Sequence, residues 1–422
     1  MIGRGGYLLV VFILILMSAT IRATKSRSNF SQLTRFLNRL SSFLVIFSLA
    51  ISAYKISIRR DISAGDNFSA SEIEKSANLP DIYYLILDAY ARADLLKQLY
   101  DFDNTEFLEH LTQKGFYIAE KSNANYPRTL MSLASSLNMK YLDHLTEKVG
   151  RDSKSLHPAK NMIKYNEVAN FLKRHGYTFV AFPSGHSTTE ITNADVYLSK
   201  PGLISEFQNI LLNTTPIPKL LKGVVDEYDL HRERLLFIFE TLVKMPDMAS
   251  PKFVFAHIKS PHPPFVFGEG GEPAKSGRPL HYRTTRDLMN ENDIQEYIRK
   301  YKNQLAAINM KVKAAVDGIL AESKAPPIII LQGDHGPCGW LDYNSLENTN
   351  LMERMPILNA YYLPESDNEE FYDTITPVNT FRVIFNQYFG ARFDLLEDEI
   401  YFATWKHPYQ FINVTDKIDV IE

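Results

Sequence analysis

Ile328-Ile329-Ile330-Leu331-Gln332-Gly333-Asp334-His335-Gly336 is the stretch that decides the fold. Four apolar residues in a row, without polar alternation, read as a strand covered on both faces. Such a strand belongs to a mostly parallel sheet of an α/β protein. Gly333 and Gly336 flank an Asp-His pair at its C-terminal tip, where glycine permits a tight turn and close approach of a ligand. Open α/β sheets keep their chemistry at such tips. An adjacent carboxylate and imidazole are both good metal ligands.

The pattern repeats outward. Residues 82–87 form a second apolar run, which ends in Asp88; residues 253–258 form a third, followed by Ser260-Pro261-His262-Pro263-Pro264. Between these runs the spacing predicts helices over 91–100, 105–115, 129–142, 166–175, 232–245, 294–323 and 378–389. Short strands are expected at 116–119, 177–182 and 356–363. Gly115 and Gly176 suit helix C-caps. The βα alternation predicts a mostly parallel sheet with helices on both faces. Residues 265–293 are rich in glycine and charge and read as a mobile loop near the site.

The chain has 422 residues, a formal net charge of −3 and 45% apolar residues. No Lys/Arg stripe alternates with aromatics, so nothing suggests a nucleic-acid partner. Cys338 is the only cysteine, which excludes an intrachain disulfide. It reads as a small buried hydrophobe, dispensable for chemistry.

The N-terminus reads differently. Residues 5–21 and 40–54 are uncharged and apolar, and Arg22, Lys25, Arg27, Arg35 and Arg39 lie between them without an acid. The first matches the roughly 17-residue lower limit for a spanning helix. The second can lengthen to Ile58 if Lys55 snorkels to the interface. The expectation is a two-helix transmembrane anchor over 1–60, a polar linker over 61–79 and a catalytic domain over 80–422. The positive-inside rule puts the basic loop in the cytoplasm and the domain on the outer, periplasmic face of the inner membrane. A signal peptide made from the first run is the alternative.

Five residues could carry chemistry. Asp88, Asp334 and His335 at strand tips can converge on one cation. Thr129 in Tyr126-Pro127-Arg128-Thr129-Leu130-Met131-Ser132 opens a helix, where free N–H groups and the dipole favour an anion. His262, stiffened by flanking prolines, can stabilise charge on a transferred group or protonate a leaving oxygen. Judged alone, each has a plainer reading. Asp88, Thr129 and Asp334 are good cap or turn residues, and His262 suits a proline-rich turn. Together, a cation and an activated hydroxyl suggest nucleophilic cleavage of an ester through a covalent intermediate.

At these residues the chain resembles the sulfatase-like branch of the alkaline phosphatase superfamily, which includes arylsulfatases, lipoteichoic acid synthases and phosphoethanolamine transferases. The likeness runs from about Pro80 to Gly390 and rests on Asp88, the 129–132 segment, the Pro-His-Pro-Pro segment and Asp334-His335-Gly336. It implies an alkaline-phosphatase-like fold and one divalent metal (Zn, Mn, Mg or Ca) on Asp88, Asp334, His335 and the Thr129 oxygen. It also implies substrate contacts by His262, His257, Arg354 and Arg128. No Cys/Ser-x-Pro/Ala-x-Arg occurs at the 129 helix, and Thr129-Leu130-Met131-Ser132 looks like the Thr-x-x-Ser of phosphoethanolamine transferases. Ala89 replaces the second Asp of the sulfatase pair. These features favour phosphorus over sulfur chemistry. The expected activity is phosphotransfer or phosphodiester cleavage through Thr129, on a membrane lipid or cell-surface glycan or polymer ester. The alternatives are a sulfuric ester hydrolase of the same fold and a catalytically silent binding domain.

Overall fold

In the computed structural model the described residues are 79–200, 227–274, 291–364 and 370–418, with helical residues at 31, 34, 35, 38–43 and 46. Two compact units divide the chain, Met1–Glu74 and Lys75–Glu422. Of the first unit, Leu40, Phe43 and Ile46 are helical and exposed. Among the described residues no helix is long and apolar enough to cross a membrane. The expected span at 5–21, most of that at 40–54, and the linker apart from Leu79 lie outside the described residues.

The second unit is built on one seven-stranded sheet. Its strands are β1 (Ile82–Leu87), β2 (Tyr117–Ile118), β3 (Thr178–Ala181), β4 (Val196–Tyr197), β5 (Lys252–Ile258), β6 (Ile328–Gly333) and β7 (Asn359–Tyr362), in spatial order β2-β7-β6-β1-β5-β3-β4. Pairings from β6 to β4 are parallel, whereas β7 runs antiparallel to both β6 and β2. The three apolar runs of the sequence are thus the three central strands. Their burial follows from alternation of side chains across a sheet covered on both sides. Tyr83, Leu85 and Leu87 enter one core, while Ile82, Tyr84 and Ile86 enter the other.

The helices, in chain order, are α1 (Ala93–Tyr100), α2 (Thr105–Gln113), α3 (Thr129–Ser136), α4 (Asp143–Val149), α5 (His157–Lys164), α6 (Glu167–Arg174), α7 (Glu227–Leu242), α8 (Glu291–Glu322), α9 (Leu351–Arg354) and α10 (Pro377–Phe389). Residues of α1, α2, α7 and α8 fill the first core; those of α3, α5, α6 and α10 fill the second. A two-stranded sheet of β8 (Tyr401–Phe402) and β9 (Ile412–Asn413) follows α10.

Several expectations need correction. The helix predicted over 129–142 stops at Ser136. Asn138 Nδ2 donates to Ala134 O at 2.8 Å and Met139 turns left-handed at φ 53°, which end it. The strand predicted over 356–363 is shorter, Asn359–Tyr362, and is antiparallel. Of the loop 265–293, residues 275–290 lie outside the described residues. Phe265, Val266 and Phe267 are core, not loop. A bridge between Phe267 and Pro273 holds that start.

The end of the sheet opposite the tips is held by charge. Lys252 is fully buried at the start of β5, and its ammonium pairs with Asp81 just before β1. Asp81 Oδ1 also accepts from Lys252 N at 3.0 Å, and Asp81 O accepts from Ile328 N at 2.8 Å. One residue thereby ties together the starts of β1, β5 and β6. Removing one member of a buried pair leaves the other uncompensated, at a cost of about 3–5 kcal/mol. Lys252→Ala is therefore expected to lower the unfolding free energy measured in urea by that order, and Lys252→Ala with Asp81→Ala by less than the sum of the singles. Additive effects would show that the pair does not act as a unit.

Candidate active site

Register brings the chemistry together. Leu87 pairs with both Ile258 and Gly333, so β1, β5 and β6 end at one level. The next residue on each strand is Asp88, Lys259 and Asp334 respectively, and all three are buried. Asp88 is no helix cap. Ala89 adopts a left-handed φ of 64° and α1 begins only after Arg92. Ala89 N instead donates across the tips to Asp334 Oδ1 at 3.1 Å, an oxygen that also accepts from His335 N at 3.0 Å.

Ligand atoms of Asp88, Asp334 and His335 all lie within 4.8 Å of one another. His335 Nε2 is 3.3 Å from Asp334 Oδ2 and 3.7 Å from Asp88 Oδ1. His335 Nδ1 meets the Gly336 carbonyl at 3.0 Å. A carbonyl can only accept, so Nδ1 carries the hydrogen and Nε2 presents its lone pair to the carboxylates. Asp88 Oδ1 and Asp334 Oδ2 are buried without a hydrogen-bond partner among the described residues. Two unpartnered carboxylate oxygens and an imidazole lone pair facing one another repel unless a cation stands among them. The donor set fits a divalent metal with oxygen and nitrogen preference.

Titration follows the same logic. Burial opposes ionisation of Asp88, but the imidazoles of His262, His257 and His335 hold it well below the usual carboxylate range. Asp334 is pushed up to about 7 by burial and then by the Asp88 charge. Burial and the Arg354 charge push His335 well below its usual range, and burial lowers His262 as well. The direction that stands is an unequal pair, with Asp88 ionised and Asp334 proton-retaining. A neutral His335 is the form that binds metal.

Thr129 is the first residue of α3, and the cap position falls on Arg128, whose side chain makes no capping bond. The Thr129 hydroxyl lies instead 3.1 Å from His335 Nε2. The plain capping role is thereby removed. His262 stands on the rim; its N–H donates to Asp88 O at 2.9 Å, and its ring centroid is 6.4 Å from that of His335. Buried Gln304 of α8 holds the segment by donating to Pro261 O and His262 O, both at 3.1 Å. His262 Nδ1 donates to Pro263 O at 2.6 Å. His257 Nε2 approaches Asp88 Oδ2 at 3.2 Å without hydrogen-bond alignment, while its Nδ1 meets Thr189 Oγ1 at 2.8 Å.

Arg354 is deeply buried. Its Nε donates to Pro127 O at 2.8 Å, Nη2 to the same oxygen at 2.5 Å, and Nη1 to Gly336 O and Pro337 O at 2.7 and 3.0 Å. These contacts are carbonyls on either side of the site. Gly336 is required by close approach, since a Cβ there would stand 2.0 Å from Glu353 O. Arg128 Nη1 is buried without a partner among the described residues, and its guanidinium carbon lies 4.5 Å over the Trp405 ring. Cys338 is buried, meets Tyr297 Oη at 3.5 Å, and is not among the converging ligand atoms.

Two neighbours were missed by sequence reasoning. Thr189 left no signal, being distant in sequence from the His257 it touches. Lys259 did leave one: a charged residue ending an apolar strand run at the level of Asp88.

Comparison places the chain among known proteins. No curated protein matches it significantly in sequence. Solved structures share the fold. The C-terminal periplasmic domain of EcEptC from Escherichia coli, in complex with Zn, is 12% identical at a TM-score of 0.53, covering 82% of this chain and 95% of that chain. A 2-O GAG sulfatase is 12% identical at a TM-score of 0.50, covering 79% and 74% respectively. The corresponding domain of the phosphoethanolamine transferase EptC from Campylobacter jejuni is 12% identical at 0.46, covering 76% and 92%. The sulfatase family model matches residues 80–356, more than half of the chain. The chain therefore belongs to the sulfatase family, enzymes of the alkaline phosphatase superfamily.

Proposed function

We propose that this protein is a membrane-anchored, metal-dependent phosphotransferase or phosphodiesterase that acts through Thr129. The observation that carries this reading is the Thr129 hydroxyl 3.1 Å from His335 Nε2, beside two carboxylates with unpartnered oxygens. Asp88, Asp334 and His335 would hold one divalent cation, with the Thr129 oxygen as fourth ligand. When bound, it would polarise an ester oxygen and lower the pKa of a coordinated hydroxyl.

The chain's own residues do the rest. Thr129 Oγ1 gives up its proton to solvent and bonds to phosphorus as the bond from phosphorus to the alcohol oxygen breaks, and that alcohol takes a proton from solvent. Free amides at the start of α3 face the developing negative charge. In the second half an acceptor alcohol or water attacks phospho-Thr129, the bond to Oγ1 breaks, and Oγ1 is reprotonated. His262 suits taking the acceptor's proton. Its Nδ1 hydrogen is committed to Pro263 O and the ring is neutral near pH 7, so it is better placed as base than as acid. Arg128 would meet the substrate directly; Arg354, bound to carbonyls, would act by holding Pro127 and Gly336.

Phosphorus is preferred to sulfur because the 129–132 segment lacks the Cys or Ser pattern matured in sulfatases. The fold shared with a 2-O GAG sulfatase keeps the sulfate-ester reading as the alternative. A lipid or surface-glycan ester on the outer face fits the apolar runs at 5–21 and 40–54 and the periplasmic origin of the Escherichia coli neighbour.

Thr129→Ala should reduce turnover of phosphodiester substrates by several orders of magnitude. It should cost only about 0.5–1.5 kcal/mol of stability, the worth of one hydrogen bond. Thr129→Ser should keep much of the rate. Sulfate esters turned over faster than matched phosphate esters would decide for the alternative, and an active Thr129→Ala would remove the nucleophile.

Metal removal is the next test. The raised pKa of Asp334, about 7, gives a contribution to stability that is fully present below its unfolded value of about 3.9. That contribution fades as pH rises through about 7, so chelated protein should lose stability across this window, and Asp334→Asn should flatten the slope. Zinc at about 100 times its Kd should restore about 2.7 kcal/mol. That corresponds to a rise in melting midpoint on the order of 5 °C. No shift in the wild type, or an undiminished one in Asp334→Asn, would remove the metal site.

Topology is checked by fusion. A reporter active only outside the cytoplasm, placed after residue 422, should be active. A silent, stably expressed fusion would reverse the orientation.

A further inference from the structure

The long helix α8 sends a polar group to each of the three strand ends that carry the site. Tyr297, Tyr301 and Gln304 stand at i, i+4 and i+7, hence on one face of that helix, and all three are buried. Tyr297 Oη accepts from Cys338 N at 3.1 Å, just beyond the turn after β6. Gln304 accepts from Val266 N at 2.6 Å, besides the two bonds it donates to the segment after β5. Tyr301 Oη donates to Ala89 O at 2.8 Å, at the tip of β1. None of the three has a part in the proposed cleavage.

Ala89 is where such a hold matters. Tyr90 N donates to Leu87 O at 3.3 Å, which closes a four-residue turn with Ala89 at its third position. Within that turn only Ala89 has a positive φ, 64°. A turn of this kind asks for glycine or asparagine there, because a Cβ crowds the backbone. The surroundings therefore impose the conformation on an alanine. The turn has no slack toward β6, since a Cβ on Gly333 would stand 2.5 Å from Tyr90 O. The imposed conformation also has an outcome. Ala89 N donates to Asp334 Oδ1 at 3.1 Å, and His335 N donates to the same oxygen at 3.0 Å. With Oδ1 committed twice, Oδ2 is the oxygen without a hydrogen-bond partner among the described residues.

We propose that Tyr301 is a positioning residue for the cation: by holding the Ala89 carbonyl it keeps residue 89 left-handed, so that the Ala89 N–H fixes Asp334 with Oδ2 free for the metal. This rests on the metal reading of Asp88, Asp334 and His335. Without the phenol, Ala89 O loses its donor while buried, and the residue gains by relaxing to a negative φ. That rotation takes the N–H away from Oδ1. A carboxylate with one anchor fewer must be ordered when the metal binds, which weakens binding. Tyr301 is itself fixed. Its ring stacks on Tyr297 at 6.1 Å between centroids and packs on Tyr100 at 4.9 Å. Burial raises its hydroxyl well above the usual tyrosine range, so it stays a donor.

The test is the zinc affinity of the full chain, stripped of metal and titrated in competition with a chromogenic chelator, so that turnover plays no part. Tyr301→Phe removes one oxygen and should raise the zinc Kd at least about tenfold. Tyr297→Phe is the matched control. It deletes a hydroxyl from the neighbouring ring on the same helix face, bound to an amide that carries no ligand atom, and should leave the Kd within about twofold. Glycine accepts a left-handed φ without being held. In an Ala89→Gly background the loss caused by Tyr301→Phe should therefore shrink to about threefold or less. Circular dichroism should show every variant folded. An unchanged Kd in Tyr301→Phe, an equal rise in Tyr297→Phe, or an undiminished loss in the glycine background would overturn the positioning role and leave the metal site standing. Wild-type protein that binds no zinc would instead remove the site, and the role with it.

Discussion

Two buried carboxylates brought face to face repel, and the rest of this domain is arranged around that repulsion. Asp88 and Asp334 end neighbouring parallel strands whose register pairs Leu87 with Gly333, so neither can retreat without slipping the sheet. A slip of one residue would also turn Tyr83 and Tyr84 into each other's cores. The hydrophobic pattern of β1 and β6 therefore enforces an electrostatic cost at their tips. Storing such a cost is reasonable where a cation relieves it and where function needs the charge.

The opposite end of the sheet reverses the arrangement. There Asp81 and Lys252 compensate each other within the protein, and Asp81 joins the starts of three strands. One end of the sheet is closed by a pair of opposite charges. The other leaves Asp88 Oδ1 and Asp334 Oδ2 without a hydrogen-bond partner among the described residues.

Much of this was legible in the sequence, for physical reasons. The three central strands are continuous apolar runs because both faces are covered, and polar residues that end such runs fall at the tips by geometry. That is why Asp88, Asp334 and His335 could be named before their convergence was seen. Other features could not be read. Strands β2 and β4 are two residues long, too short for any period. The antiparallel direction of β7 depends on its partner, not its composition. Helices α4 and α5 gave no recognised signal, and α3 ends through a side-chain bond from Asn138 that competes with the helix backbone. Arg354 looked like a substrate contact because sequence cannot tell that its donors reach carbonyls as far as 227 residues away.

That same arginine has a mechanical consequence. By gripping Pro127 on one side and Gly336 and Pro337 on the other, it fastens the entrance of α3 to the turn that carries His335. The spacing of the Thr129 hydroxyl and the His335 imidazole is therefore braced by one side chain that neither of their own elements supplies.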